Sequence, residues 1–247
     1  MDMCDFVIES GVLTECSNCD NEIIIPAGVT RIGDGAFEGI GGIKKVVISE
    51  GVTEIGDSAF EECYELETVV LPDSLEKIGE YAFYLCTKLK NINMPKNVSE
   101  IGKLAFGDAF GLADENGFIT INNDLFGYMG KERTVFIPEN IKRIRDCAFS
   151  GNKNIARVII PKGVGSIGNG AFWDCKNLKN VFIPTSVIHI GDKAFECFEF
   201  NEKNTLQKLF SISGAKFDEI VIHAQKGSFA ESYAKENKLP FVVEKND

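Results

Sequence analysis

One string constrains this chain more than anything else in it. Ile-Gly-x-x-Ala-Phe, or a close variant, begins at Ile32, Ile55, Ile78, Ile101, Ile144, Ile167 and Ile190, so that every step but the fourth has the same length. The matching phenylalanines are Phe37, Phe60, Phe83, Phe106, Phe149, Phe172 and Phe195, each preceded by alanine. Six positions after all but the last of these comes an apolar side chain: Ile43, Leu66, Leu89, Leu112, Ile155 and Leu178. A short β-rich run ending in proline follows, as in Val69-Val70-Leu71-Pro72 and Val181-Phe182-Ile183-Pro184. Six of the seven prolines occupy this one position; Pro240 does not, and Ser49 fills the single vacancy. A segment this short cannot bury its own apolar face, whereas stacked segments bury a continuous core, so the chain must wind as a solenoid.

Each column then acquires a role. Leu66, Val69 and Leu71 alternate inward, as a half-buried strand requires. Proline cannot donate to a ladder and ends the strand where the chain turns. Phenylalanine fills the core, and alanine is small enough for close coil packing. The glycines after the repeat isoleucine (Gly33, Gly56, Gly79, Gly102, Gly168 and Gly191) supply a backbone conformation or clearance that other residues cannot, and Arg145 breaks that column. A coil rise of ~4.8 Å and about nine coils predict a body on the order of 40 Å long, with broad surface and no deep cleft.

The unit L-x-x-V-x-I-P-x-x-V-x-x-I-G-x-x-A-F-x-x-C resembles the BspA-type leucine-rich repeat over roughly residues 23–200. The resemblance implies an α/β fold: a right-handed leucine-rich-repeat solenoid with a parallel β-sheet on one face, β-rich with short helices, closed by a C-terminal capping helix. It also implies adhesion or host-interaction roles for surface-displayed or secreted members. The C-terminal run from Ile220 through Gly227-Ser228-Phe229 to Val242 resembles the closing segment of such proteins. That helix has its own warrant, since Ser228 and Glu231 are spaced as a capping box and Phe229 and Tyr233 share one face.

The expected organisation is an N-terminal capping hairpin over 1–22, repeats over 23–200 and a C-terminal cap over 201–247. The repeats are interrupted by an insertion at about 107–130. Phe118 through Leu125, Tyr128 and Pro138 echoes Phe6 through Leu13, Cys16 and Pro26 at a constant offset, so both stretches read as a hairpin leading into coils. One stack with a local bulge is the favoured arrangement. Leu206, Leu209 and Phe210 suggest a short amphipathic helix.

The net charge of -11 argues against a nucleic-acid or anionic-membrane surface, and no apolar run is long enough for membrane insertion. Met1-Asp2-Met3-Cys4-Asp5 has neither a basic nor an apolar leader region. With Met1 as the native start the expected location is cytoplasmic, whereas the resemblance implies the cell surface.

Of the eight cysteines, Cys63, Cys86 and Cys175 share one repeat position, filled by Ile40, Ala109, Asn152 and Phe198 elsewhere. They read as buried thiols acting as small hydrophobes, although Cys63 and Cys86, on adjacent coils, lie close enough for a disulfide. Cys16 and Cys19 form a lone C-x-x-C with Cys4 upstream; a zinc site needs four ligands, and a redox pair belongs beside a βαβ unit. Neither context is visible. His189 and His223 lack a triad setting, and there is no phosphate loop. The column Arg31, Glu54, Lys77, Glu100, Arg143, Ser166, His189 alternates in sign along its first five members and reads as a structural ladder. No catalytic, cofactor-binding or metal-ligating residue is assigned, and the chain does not read as an enzyme.

The outward column of the sheet is the candidate partner-binding face. With Val69 and Leu71 inward, Val70 points out; its equivalents are Ile24, Val47, Asn93, Phe136, Ile159 and Phe182. A solvated face should be polar, and this one is largely apolar. The expected function is a non-catalytic module binding a protein, or a glycan, through this face. The alternatives are an intracellular interaction scaffold and, less favoured, an enzyme using Cys16 or Cys19. Open sheet edges allow a monomer or a weak dimer.

Overall fold

The computed structural model describes residues 4–19, 21–196 and 220–245, which form two compact units. The first comprises residues 1–122 and 126–129, and the second 123–125 and 130–247. The helix expected around Leu206 lies outside the described residues.

The first unit opens with the antiparallel hairpin β1 (Asp5–Glu9) and β2 (Val12–Ser17). Eight short strands follow: β3 (Glu22–Ile24), β4 (Arg31–Ile32), β5 (Lys45–Val47), β6 (Glu54–Ile55), β7 (Thr68–Val70), β8 (Lys77–Ile78), β9 (Asn91–Ile92) and β10 (Glu100–Ile101). They sort into two sheets, β3-β5-β7-β9 and β1-β2-β4-β6-β8-β10, in which each repeat strand pairs in parallel with its equivalent on the next coil. The parallel sheet expected on one face is therefore accompanied by a second, built from the Arg/Glu/Lys–Ile column. Opposite charges do sit side by side there: Glu54 lies 3.4 Å from Arg31 and 3.4 Å from Lys77.

The insertion forms β11 (Phe118–Ile121) and β12 (Asp124–Tyr128), the second hairpin expected from the sequence echo. Asp124 and Leu125 then pair in parallel with Arg143 and Ile144, as Val12 and Leu13 pair with Arg31 and Ile32 in the first unit. The second unit continues with β13 (Thr134–Phe136), β14 (Arg143–Ile144), β15 (Arg157–Ile159), β16 (Ser166–Ile167), β17 (Asn180–Phe182), β18 (His189–Ile190) and β19 (Val221–Ala224). Helix α1 (Phe229–Glu236) and β20 (Phe241–Val243) close it, again with two parallel rows, β12-β14-β16-β18 and β13-β15-β17-β19-β20.

The repeat phenylalanines form the spine of both cores. Phe37, Phe60, Phe83 and Phe106 stack with centroids 4.8, 5.2 and 5.3 Å apart, close to one strand spacing. Phe149, Phe172 and Phe195 repeat this at 4.7 and 5.2 Å. Each stack ends against an edge-on aromatic ring: Phe126 at 83° to Phe106, and Tyr233 of α1 at 71° to Phe195. The helix therefore covers the last coil with an aromatic side chain. Ser228 caps it, accepting from the Glu231 N–H at 3.3 Å, while Glu231 accepts from the Gly227 N–H. Phe229 does not share the buried face of Tyr233; it is 42% exposed.

The Ala-Phe corner carries a third backbone ladder. Within each stack the N–H of every phenylalanine before the last donates to the alanine carbonyl of the next coil, as from Phe60 to Ala82 and from Phe172 to Ala194. The positions two before and two after it do the same, as from Ser58 to Glu80 and from Glu62 to Tyr84. Those flanking residues have positive φ although most are not glycine, among them Ser58, Glu62, Tyr81, Leu85, Asp174 and Lys193. The column glycine supplies clearance, not conformation: a Cβ on Gly79 would lie 2.6 Å from the Asp57 amide nitrogen of the preceding coil. Arg145 stands where glycine stands elsewhere and reaches the buried Asp124 at 3.4 Å, beside Arg143 at 2.8 Å.

Candidate functional site

Strand geometry sets the outward rows directly. In β13, β15 and β17 the middle residues Val135, Val158 and Val181 are buried, so their neighbours on either side point outward. Parallel register aligns Phe136 with Ile159, Ile159 with Phe182, and Phe182 with His223 of β19, while His223 aligns with Val242 of β20. Phe136 is 68% exposed, and Ile159 and Phe182 are half-buried.

Phe182 is the most heavily contacted member of the row. The His223 ring stacks on it at 4.2 Å, and the Arg157 guanidinium lies over it at 4.3 Å from the centroid. His223 is itself held at both ring nitrogens, with Nδ1 2.8 Å from Glu244 Oε1 and Nε2 2.8 Å from Asn180 Oδ1. The result is a stack of guanidinium, aromatic and imidazole groups built on the Phe182 ring. Arg157 and Val242 were not singled out from the sequence, and His223 was weighed there only for a catalytic setting. Arg157 was findable as the residue two before Ile159, one coil back from Phe182, and His223 as the Phe182 equivalent one coil on, but β19 follows a break in the regular repeat spacing that obscures its register.

The first unit has a shorter equivalent. Ile24 is 68% exposed, Val47 is half-buried and Val70 is exposed along β3, β5 and β7. Asn93, the next in this column, serves the fold. Its side-chain amide accepts from the Leu71 N–H at 2.8 Å and donates to the Leu71 carbonyl at 2.8 Å, continuing by side chain the ladder that β9 leaves off. The structure therefore gives Asn93 a backbone-satisfying role that the apolar members of the column cannot perform.

The cysteines separate into two groups. Cys63, Cys86 and Cys175 are buried, and each thiol donates to the phenylalanine carbonyl of the preceding coil: Cys63 to Phe37 at 3.1 Å, Cys86 to Phe60 at 3.1 Å and Cys175 to Phe149 at 3.0 Å. Burial pushes the Cys63 thiol up to about 12 and raises that of Cys86 as well. Such groups stay protonated and unreactive. Cys63 and Cys86 are not joined to each other. Cys16 and Cys19, by contrast, form a disulfide, and Cys4 lies against them, the three sulfurs within 4.8 Å of one another. His189 is exposed, in the charge ladder.

No described helix is long and apolar enough to cross a membrane. None of the curated proteins matches the chain. Among solved structures it is similar to a leucine-rich-repeat protein of T. pallidum, with 23% identity over 76% of this chain and 83% of that one, at a TM-score of 0.49. It is also similar to a leucine-rich-repeat protein of Eubacterium ventriosum (24% identity, 77% and 66% coverage, TM-score 0.46) and to the pneumococcal vaccine antigen PcpA (17% identity, 92% and 80% coverage, TM-score 0.41). The model of the BspA-type leucine-rich-repeat region matches in 6 copies over residues 7–116 and 119–235. With nearly the whole repeat array matched and two parallel rows winding each unit, the chain belongs to the BspA-type leucine-rich-repeat family.

Proposed function

We propose that the chain is a non-catalytic protein-binding module whose partner docks on the outward face of the second unit's sheet, along Phe136, Ile159 and Phe182. One observation carries this reading: Phe136 stands 68% exposed on a face where solvation favours polar residues. Next to it the Arg157, Phe182 and His223 stack is already held by hydrogen bonds and ring contacts, so little side-chain freedom is lost when a partner covers it. Aromatic residues and arginine dominate binding energy at protein interfaces. Val47, Val70 and Ile24 offer a smaller apolar row on the first unit, and Asn93 joins that face as a polar rim.

The test is the double variant Phe136→Asp with Phe182→Asp. It is expected to unfold at the same urea concentration as the wild type while losing retention of proteins from host-cell and matrix extracts. Ile188→Asp alters another exposed apolar residue outside this row and is expected to retain them. Undiminished retention by the double variant overturns the assignment of the face, and a parallel glycan array distinguishes a saccharide ligand from a protein.

A further inference from the structure

The first hairpin carries three cysteines that the second replaces together. At the constant offset between the two hairpins, Cys4, Cys16 and Cys19 correspond to Asn116, Tyr128 and Lys131. The second hairpin still makes the equivalent pairing to its first coil, so the fold of this element does not require the sulfurs. What assembles them is the register of the first hairpin. Asp5 faces Ser17 and Phe6 faces Cys16, which brings Cys4 across from the bend that separates Cys16 from Cys19. Asn18 turns the chain at that bend with φ 52°, and its side-chain amide donates to Asp5 Oδ2 at 2.7 Å, fastening the bend to β1. The Cys16 N–H donates to the Ala36 carbonyl at 3.2 Å, anchoring the site to the first coil. Cys16 is buried, and Cys4 and Cys19 are half-buried.

A disulfide explains two converging sulfurs and not the third. Zinc–thiolate bonds of ~2.3 Å in tetrahedral geometry place sulfurs ~3.8 Å apart. No two sulfurs of the trio are more than 4.8 Å apart, at most about 1 Å beyond that spacing, and Cys16 and Cys19, bonded to each other here, separate to reach it once the disulfide is reduced. We propose that in the reduced protein Cys4, Cys16 and Cys19 bind one thiophilic d10 cation, Zn2+, through three thiolates, with water in the fourth position. Three S–H protons leave as three sulfur–metal bonds form, so affinity rises with pH. The Cys16–Cys19 disulfide and the metal draw on the same two sulfurs and exclude each other.

The full chain, reduced with a phosphine and desalted without air, is titrated with Co2+ and then Zn2+. The expected result is sulfur-to-cobalt charge-transfer absorption that saturates at one equivalent and is displaced by Zn2+. Cys4→Ser is expected to lose that band and to weaken Zn2+ binding, measured against a chromophoric chelator, by more than the ~10–100-fold that loss of an outer-shell partner costs. Cys4→Asn, which copies the second hairpin, serves if serine disturbs folding by circular dichroism. Cys147→Ser is expected to bind as the wild type does. No charge-transfer band in the reduced wild type, or undiminished binding by the Cys4 variants, overturns the proposal; the second outcome assigns any metal to Cys16 and Cys19 alone.

Discussion

Phe60 and Phe83 lie parallel, their planes 1° apart and their centroids separated by 5.2 Å, although a whole repeat of chain runs between them. Each ring is fully buried, and each is a wall of the next ring's site. Removing one therefore opens a cavity shared by two coils. Phe60→Ala is expected to cost about 3–5 kcal/mol in urea denaturation. Phe136→Ala, on the exposed face, should stay within about 0.5 kcal/mol. Equal effects would mean that the stack is not the core of the first unit.

The raised Cys63 thiol gives stability a pH dependence of fixed sign. Burial lifts its pKa from an ordinary 9.0 to about 12, so the unfolded chain ionises first. The contribution is fully present below 9.0 and is lost as pH climbs toward about 12. Urea midpoints measured from about pH 8 to about pH 10 should fall more steeply for wild type than for Cys63→Ala. Ellman's reagent should reach Cys63 and Cys86 only on unfolding.

Two acidic residues in equivalent ladders should behave differently. Asp124 is buried between Arg143 and Arg145, whereas Glu54 sits near the surface between Arg31 and Lys77. Breaking a buried pair costs more than breaking an exposed one. Asp124→Ala is expected to destabilise by about 2 kcal/mol, and Glu54→Gln by about 0.2–1 kcal/mol, the latter fading in high salt. Arg145→Gly restores the residue of most other coils and should nevertheless lower stability, by about 1–2 kcal/mol, through the lost ion pair and the freer unfolded backbone.

Lys193 is exposed and adopts φ 57°, where its repeat equivalents Gly35 and Gly170 adopt 63° and 56°. A side chain in this region costs roughly 1–2 kcal/mol, part of which glycine returns as unfolded-state entropy. Lys193→Gly should raise the thermal midpoint, with a gain of up to about 1 kcal/mol, and Lys193→Val should lower it. A loss with glycine would show that the side chain makes a contact worth more than the backbone strain.

Features written more than once were legible in the sequence: the phenylalanine stack, the inward Val69 and Leu71, the charge ladder through Glu54, and the hairpin echo. Each is written several times, so chance cannot imitate it. The ladder at the Ala-Phe corner was hidden because Ser58, Tyr81 and Lys193 do not advertise positive φ as glycine does. Asn93 read as one more outward residue because its bonding depends on β9 stopping short at Ile92. The approach of Cys4 to Cys16 is not periodic; counting outward from the Ser10-Gly11 turn places Cys4 opposite Ser17, and a register shift between Val7 and Ile8, which the sequence does not announce, moves it opposite Asn18.

Within a run of coils, three backbone ladders, the ring stack and the thiol bonds all link one coil to the next and to nothing farther. Excising residues 57–79 would join Gly56 to Glu80 and leave every column in phase. Loss of half a coil would throw all of them out of phase at once. Gene-level shortening or lengthening of such a protein is thus quantised, and its sheet faces can be extended or trimmed in whole turns without any other contact having to evolve afresh.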